Sequence, residues 1–461
     1  MAVWSEVKAS TLSLHSSRID SEYYRPETLA AEQLVNNVNS VKFGKLVTDG
    51  YRVVYENTKI LRSDKVTLLD CKFLQATNIS QDGLSIDVDG VGYVSESDWK
   101  RYPKGRISKG ELLIEVKGQA EKVTIVPDNY PERTLVSGSL FKASLSSTVS
   151  AEYVFTFFNS KYGKLLRDRT KTNTLIAFVS KPELYKIPIP VPNKEIHDNI
   201  TKAVKNSIFK NNLSKSLYTQ AHELLEKELG LDQLVLERPK SYETSFSEVV
   251  SGGRIDSDYF QVHFKQQANH LSMIQSKPLR ELVDFQKGIE VGSPAYTSSG
   301  KLFVRVSNVK KTGVVTGNSD KYISETLFKC LESYQPKIGD ILLTKDGTVG
   351  VCYVVDETVD GIISGGIMKL SKKDESIPSE YLALVINSPI CQFQIDRDCS
   401  GALIVHWKPK DIAALKIPIL TEDKMAELSD LVNQSKIAKK KSEQLLDQAK
   451  RMVEELIEGA I

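Results

Sequence analysis

The residues best placed to do chemistry are two short polar tips, each at the end of an apolar run held between glycines. In the first, Gly110-Glu111-Leu112-Leu113-Ile114-Glu115-Val116-Lys117-Gly118 leads to Lys117, Gln119 and Lys122. In the second, Gly339-Asp340-Ile341-Leu342-Leu343-Thr344-Lys345-Asp346-Gly347 leads to Lys345, Asp346 and Thr348. Such a run predicts a buried strand emerging into a tight turn, and exposed tips on a rigid sheet are where recognition side chains are carried. Asp98 with Glu115-x-Lys117 also imitates the carboxylates and lysine of a metal-dependent nuclease. The second copy has Thr344-Lys345-Asp346 there, so no carboxylate is kept at the place of Glu115, and the nuclease reading is the weaker one. The chain contains no G-x-x-x-x-G-K-[ST], no H-E-x-x-H and no G-x-S-x-G. It has no two adjacent prolines, so the N/D-P-P-aromatic pocket that would hold an extruded base in an amino-methyltransferase is missing.

The tips belong to an internal repeat. Arg18-Ile19-Asp20-Ser21-Glu22-Tyr23-Tyr24 returns as Arg254-Ile255-Asp256-Ser257-Asp258-Tyr259-Phe260, each opening a predicted helix with an Asp or Ser to cap it. Phe73-Leu74-Gln75-Ala76-Thr77-Asn78-Ile79 returns as Phe303-Val304-Arg305-Val306-Ser307-Asn308-Val309, and Tyr93-Val94-Ser95 as Tyr322-Ile323-Ser324. After the tips, Ser137-Gly138, Asn159-Ser160, Asp168-Arg169 and Lys186-Ile187-Pro188 match Ser364-Gly365, Asn387-Ser388, Asp396-Arg397 and Lys416-Ile417-Pro418. The repeat is far longer than a solenoid unit of about 20–50 residues, which makes it a domain duplication.

Each half ends in a long helical pattern, residues 195–229 and 422–458. Ile196, Ile200, Ala203 and Ser207, then Leu213, Leu217, Ala221 and Leu224 on the first, and Leu428, Leu431, Ala438, Leu445, Ala449, Met452 and Leu456 on the second, recur at helical spacing, with Leu213, Leu217, Ala221, Leu224, Leu445, Ala449, Met452 and Leu456 expected to pack the helices together. Leu217 aligns with Leu445 and Leu224 with Met452, an offset of 228 (445 minus 217).

At 461 residues the chain is long for one core, so two to four domains are expected. Its 61 basic and 59 acidic side chains leave a net charge of +2, far from the excess of a non-specific nucleic-acid coat, so any DNA contact must use local clusters or partner subunits. The five cysteines are odd in number and lack C-x-x-C spacing, which points to reduced bystanders. Without a long apolar span or a signal-peptide layout, a cytoplasmic protein with no membrane partner is expected.

In the R-I-D-S-[ED]-Y-[YF] openings, the F-[LV]-x-x-x-N-[IV] and G-[ED]-[IL]-L strands and the K-I-P-I approaches to the long helices, the chain resembles the specificity subunits of type I restriction-modification enzymes over nearly its whole length. That resemblance implies an α+β fold: two duplicated mixed α/β target-recognition domains separated by two long helices packed as an antiparallel coiled coil. The expected division is residues 1–192, the helix 193–232, residues 233–420 and the helix 421–461. The resemblance further implies no catalysis in this chain, and partners consisting of double-stranded DNA with a bipartite target, two modification subunits and restriction/translocase subunits. S-adenosylmethionine, ATP and magnesium would belong to those subunits, with no cofactor here. Reading bases requires side chains that reach base edges. The candidates are Lys117, Gln119, Lys122, Arg169, Lys171, Thr172 and Asn173 in the first half, and Lys345, Asp346, Thr348, Arg397, Ser400, Trp407 and Lys408 in the second. Arg169 and Arg397 share a place in both halves and are expected on phosphates, which carry no sequence information.

Overall fold

The computed structural model describes residues 6–8, 18–53, 58–172, 176–317, 319–399 and 405–459. The chain divides into two compact units, residues 1–212 with 438–461, and residues 213–437. This differs from a division at 193, 233 and 421, because neither long helix is a body of its own. The central helix, Lys194–Glu228, and the C-terminal helix, Glu422–Glu458, each contribute one half to each unit.

The duplication predicted from the repeat is present strand by strand. In the first unit a four-stranded antiparallel sheet runs in the order Val47–Arg52, Leu140–Leu145, Leu112–Glu115, Val123–Ile125. The second unit has Val283–Lys287, Ile367–Lys372, Ile341–Thr344, Cys352–Val354 in the same order. Each unit adds a three-stranded sheet with one parallel pair, Cys71–Leu74 beside Thr134–Val136 in one and Lys301–Val304 beside Gly361–Ile363 in the other. The central strands read as unbroken apolar runs because both faces are covered. Leu112 and Ile114 join the core under helices Ala151–Asn159 and Lys161–Thr170, while Leu113 joins the cluster of Leu74, Val136 and Leu140. Ile341, Leu343 and, on the opposite face, Leu342 repeat the pattern.

Each repeated motif has a hydrogen-bonding job. Arg18 grips Asp20 through Nε and Nη2 at 2.8 and 2.9 Å and donates to the Lys171 carbonyl, while Asp20 caps the turn Ser21–Tyr24. Arg254 and Asp256 make the same clamp at 2.7 and 2.8 Å, and Arg254 donates to the Asp398 carbonyl. These hydrogen bonds from arginine hold both carboxyls below the usual range. Asn78 and Asn308 accept from the amides of Gln75 and Arg305, and Ser95 and Ser324 cap the short helices that follow them. Even the acidic residue of G-[ED] is structural: Lys142 reaches Glu111 at 2.6 Å inside the first unit, and Ser144 and Ser371 donate to Glu111 and Asp340, both at 3.1 Å.

The long helices pack antiparallel within each unit. Ile200, Ala203 and Val204 share a core with Leu446, Ala449 and Val453 in the first; Ala221 and Leu225 share one with Met425, Leu428 and Val432 in the second. The seam follows alternating steps of four and three: Ile200, Val204, Ser207, Asn211, Ser214, Tyr218, Ala221, Leu225 on one helix, and Leu428, Val432, Ser435, Lys439, Ser442, Leu446, Ala449, Val453 on the other. This is the heptad period of a coiled coil. It keeps Ile200, Ser207 and Leu428 of the expected stripes and corrects their phase elsewhere. Ala221 and Ala449 lie on the seam; Leu224 and Met452 pack against the cores from beside it, and Leu213, Leu217, Leu445 and Leu456 are half-buried off it. The middle of the seam is polar, and in the first unit Lys439 donates to Asp82 and to Asn211, both at 3.1 Å. Burial of Asp82 is outweighed by that ammonium and by hydrogen bonds, so its carboxyl titrates below the usual range.

Candidate nucleic-acid interface

One end of each four-stranded sheet carries the polar tip. In the first unit Glu115 ends its strand buried, and its carboxylate accepts from the amides of Gln119, Glu121 and Lys122 at 3.2, 3.0 and 3.1 Å. The turn passes through Gly118 at φ 121° and Ala120 at φ 55°, left-handed conformations that this acceptor holds in place. Arg167 braces it from behind, donating to the Glu121 carbonyl at 2.9 Å and the Phe158 carbonyl at 3.1 Å. Glu115 is thus committed to its own loop, and Asp98 accepts a hydrogen bond from Ser95. Among the described residues no group of three His, Cys, Asp or Glu side chains is placed to hold a metal.

The tip strand Lys117–Gly118 pairs with Ala177–Phe178, and Lys117 lines an open cleft of about 450 Å³ with Arg52, Thr58, Gln75, Ser139 and Ile176. Arg52 donates to the Gly138 carbonyl at 2.7 Å and lies 4.7 Å over the Phe178 ring. Two cations, an amide and hydroxyls therefore meet in one concavity, the donor set that phosphates and base edges require.

The equivalent end of the second unit is built on the same backbone with different side chains. Lys287 stands where Arg52 does in register, Arg305 where Gln75 does, Asp346 where Lys117 does and His406 where Phe178 does. Gly347 donates to the Val405 carbonyl and Trp407 to the Lys345 carbonyl, both at 2.9 Å, which ties the tip to the segment entering helix Pro409–Ala414.

Several expected contacts are placed elsewhere. Lys117, Gln119, Thr172, Thr348 and Lys408 are exposed. Lys122 is not a free cation, since its ammonium serves the carbonyls of Ala76 and Ile79 at 3.0 and 2.7 Å. Arg169 is buried against Glu32 at 2.5 Å and donates to the Tyr23 carbonyl, so it holds helices together and does not face phosphate. Arg397 pairs with Asp398 at 2.9 Å, and Lys171 with Asp168 at 2.7 Å. Lys345 is buried and bound to Asp346, and Trp407 is a core side chain, 1% exposed. Asn173 and Ser400 lie outside the described residues. Arg52, Gln75 and His406 went unnoticed in the sequence. The signal available was inside a motif: Gln75 and Arg305 occupy a polar position that changes, flanked by a Phe and an Asn kept in both halves, Phe73 and Asn78 in one and Phe303 and Asn308 in the other.

No family model and no curated protein matches the chain. Among solved structures it is similar to the S subunit of a type-I restriction-modification system from M. genitalium, with a TM-score of 0.41 and 13% identity over 92% of this chain and 96% of that one. It is similar to the HsdS subunit from Thermoanaerobacter tengcongensis, with a TM-score of 0.29 and 12% identity over 92% and 97%. A chain from a structure on complex assembly and conformational transition of the type I R-M system gives a TM-score of 0.30 and 13% identity over 91% and 97%. Among the described residues no helix is long and apolar enough to cross a membrane.

Proposed function

We propose that this chain is a non-catalytic DNA sequence-specificity subunit of a type I restriction-modification complex. Each unit reads one part of a bipartite target, and the long helices set the spacer and dock modification subunits. The observation that carries the reading is the division of labour between repeated and changed residues. The repeated ones clamp, cap and fill the frame, while the ones that differ between halves, Lys117 against Asp346, Arg52 against Lys287, Gln75 against Arg305, gather at one end of each sheet. A duplicated frame with unlike tips suits two different short sequences on one duplex. The central helix, 35 residues, is about 50 Å long at 1.5 Å per residue, comparable to one to one and a half turns of DNA at about 34 Å each. Methyl donor, nucleotide and magnesium chemistry would reside in the partner subunits of a cytoplasmic assembly.

Gel-shift with bipartite duplexes, the modification subunit being supplied, tests this. Binding that needs both sequence elements and their spacing is expected. Absent or sequence-independent binding would favour a scaffold that uses its helices to hold proteins only.

A further inference from the structure

The tip of the second unit holds a carboxylate and an imidazole in hydrogen-bond contact. His406 Nδ1 lies 2.8 Å from Asp346 Oδ1, and the other carboxylate oxygen takes the Lys345 ammonium at 2.6 Å. Exposure rises outward through the group: the side chains of Lys345, Asp346 and His406 are 9%, 25% and 59% exposed. The segment is anchored at Trp407, and because side chains alternate along an extended chain, the buried indole directs its neighbour His406 outward. Both oxygens of Asp346 are engaged and Lys345 matches its charge, so His406 is the outermost member of the group.

We propose that His406 is a base-reading residue of the second unit, its Nε2 accepting a hydrogen bond from the exocyclic amino group of an adenine or a cytosine, and that Asp346 is a positioning residue that fixes the imidazole tautomer. With Asp346 as acceptor the ring proton sits on Nδ1, so the neutral ring presents a lone pair at Nε2. In the major groove the donors that match it are adenine N6 and cytosine N4. The first unit has Lys117 and Phe178 at the same two places, so the halves read by different chemistry. The inference rests on the proposed role in DNA recognition.

The test uses the full chain, purified from its own cells with the proteins bound to it, and a pool of duplexes randomised across the target length. The wild type is expected to enrich a two-part sequence. His406→Ala should lose about tenfold of its preference at a single adenine or cytosine in one part, with the other part unchanged. His406→Gln, which restores an acceptor, should keep that preference. Asp346→Asn can donate to Nδ1 and move the ring proton to Nε2, so the preference at that same position should turn to guanine or thymine. A merely structural role would not move it. If His406→Ala leaves both parts intact, or Asp346→Asn weakens all sequences evenly, the assignment is wrong. If the wild type enriches no sequence, the DNA-recognition reading itself fails and takes this inference with it.

Discussion

Ser207 and Ser442 each donate to the other's backbone carbonyl, at 2.8 and 2.7 Å, with both residues buried on the helix seam of the first unit. Ser214 and Ser435, displaced in the alignment by the same 228 residues (435 minus 207, 442 minus 214), face each other in the second unit with their hydroxyls 3.1 Å apart. A seam position that would ordinarily hold leucine is thus filled by a small side chain that satisfies a carbonyl and lets the backbones approach. Ser442→Ala should cost about 1 kcal/mol, the net worth of one such bond. Ser442→Leu should cost about 1–3 kcal/mol through overpacking, despite completing the heptad. Denaturant unfolding of the full chain, with amide exchange at residues 203–211 as the local probe, measures both. A more stable leucine variant would show that the backbones are not held close there.

The loop of the first tip depends on one carboxylate. Removing it in Glu115→Ala leaves the amides of Gln119, Glu121 and Lys122 without their acceptor. Losing about 2 kcal/mol of local protection would speed their exchange roughly 30-fold, leaving the strand Leu112–Glu115 protected. Unchanged exchange at these amides would remove Glu115 from its structural role and reopen the metal reading.

His222 supplies a pH dependence. It sits on the central helix, its ring 4.7 Å from that of Tyr218, and burial, assisted by the charge of Lys311, lowers its pKa from 6.5 to about 4. Between those values the unfolded chain binds a proton that the folded chain refuses, so stability contributed by the neutral imidazole is complete above pH 6.5 and is lost as pH falls toward 4. The loss attributable to this one group is about 2–3 kcal/mol. His222→Phe should flatten that part of the stability profile of the second unit, measured by denaturant titration at pH 7, 6, 5 and 4. A profile equally steep in the variant would place the titrating group elsewhere.

The frame was legible in the sequence because its repeated residues have local work: Asp20 and Asp256 cap turns a few residues away, and Asn78 and Asn308 close loops on their own strands. The helices were legible in period, and in phase at Ile200, Ser207, Ala221, Leu428 and Ala449, but not at every turn between them. Leu213, Leu217, Leu445 and Leu456 are more apolar than Asn211, Ser214 and Lys439, so hydrophobicity selects the flank there, whereas the polar centre of the seam is fixed by contacts across helices. The tips were found as places but not as roles. Whether a lysine or arginine is free depends on partners distant in sequence, such as Glu32 for Arg169 or the carbonyls of Ala76 and Ile79 for Lys122.

Arg169 offers the sharpest separation of a structural cation from a DNA-contacting one. Its guanidinium is buried beside Glu32 and lies 4.1 Å over the Tyr23 ring, joining helix Lys161–Thr170 to helix Pro26–Asn37. Arg169→Ala leaves Glu32 without its counter-charge and should destabilise the first unit by about 3–5 kcal/mol. Lys117→Ala, at an exposed tip, should cost under about 0.5 kcal/mol. DNA binding should invert the order. Each phosphate contact adds about 0.9 to the slope of log K against log salt, so Lys117→Ala should shallow the slope if it meets the backbone, while Arg169→Ala, assayed well below its lowered melting temperature, should leave it unchanged. A slope reduced in Arg169→Ala with stability intact would return this arginine to the DNA face and require the Glu32 pair to open on binding.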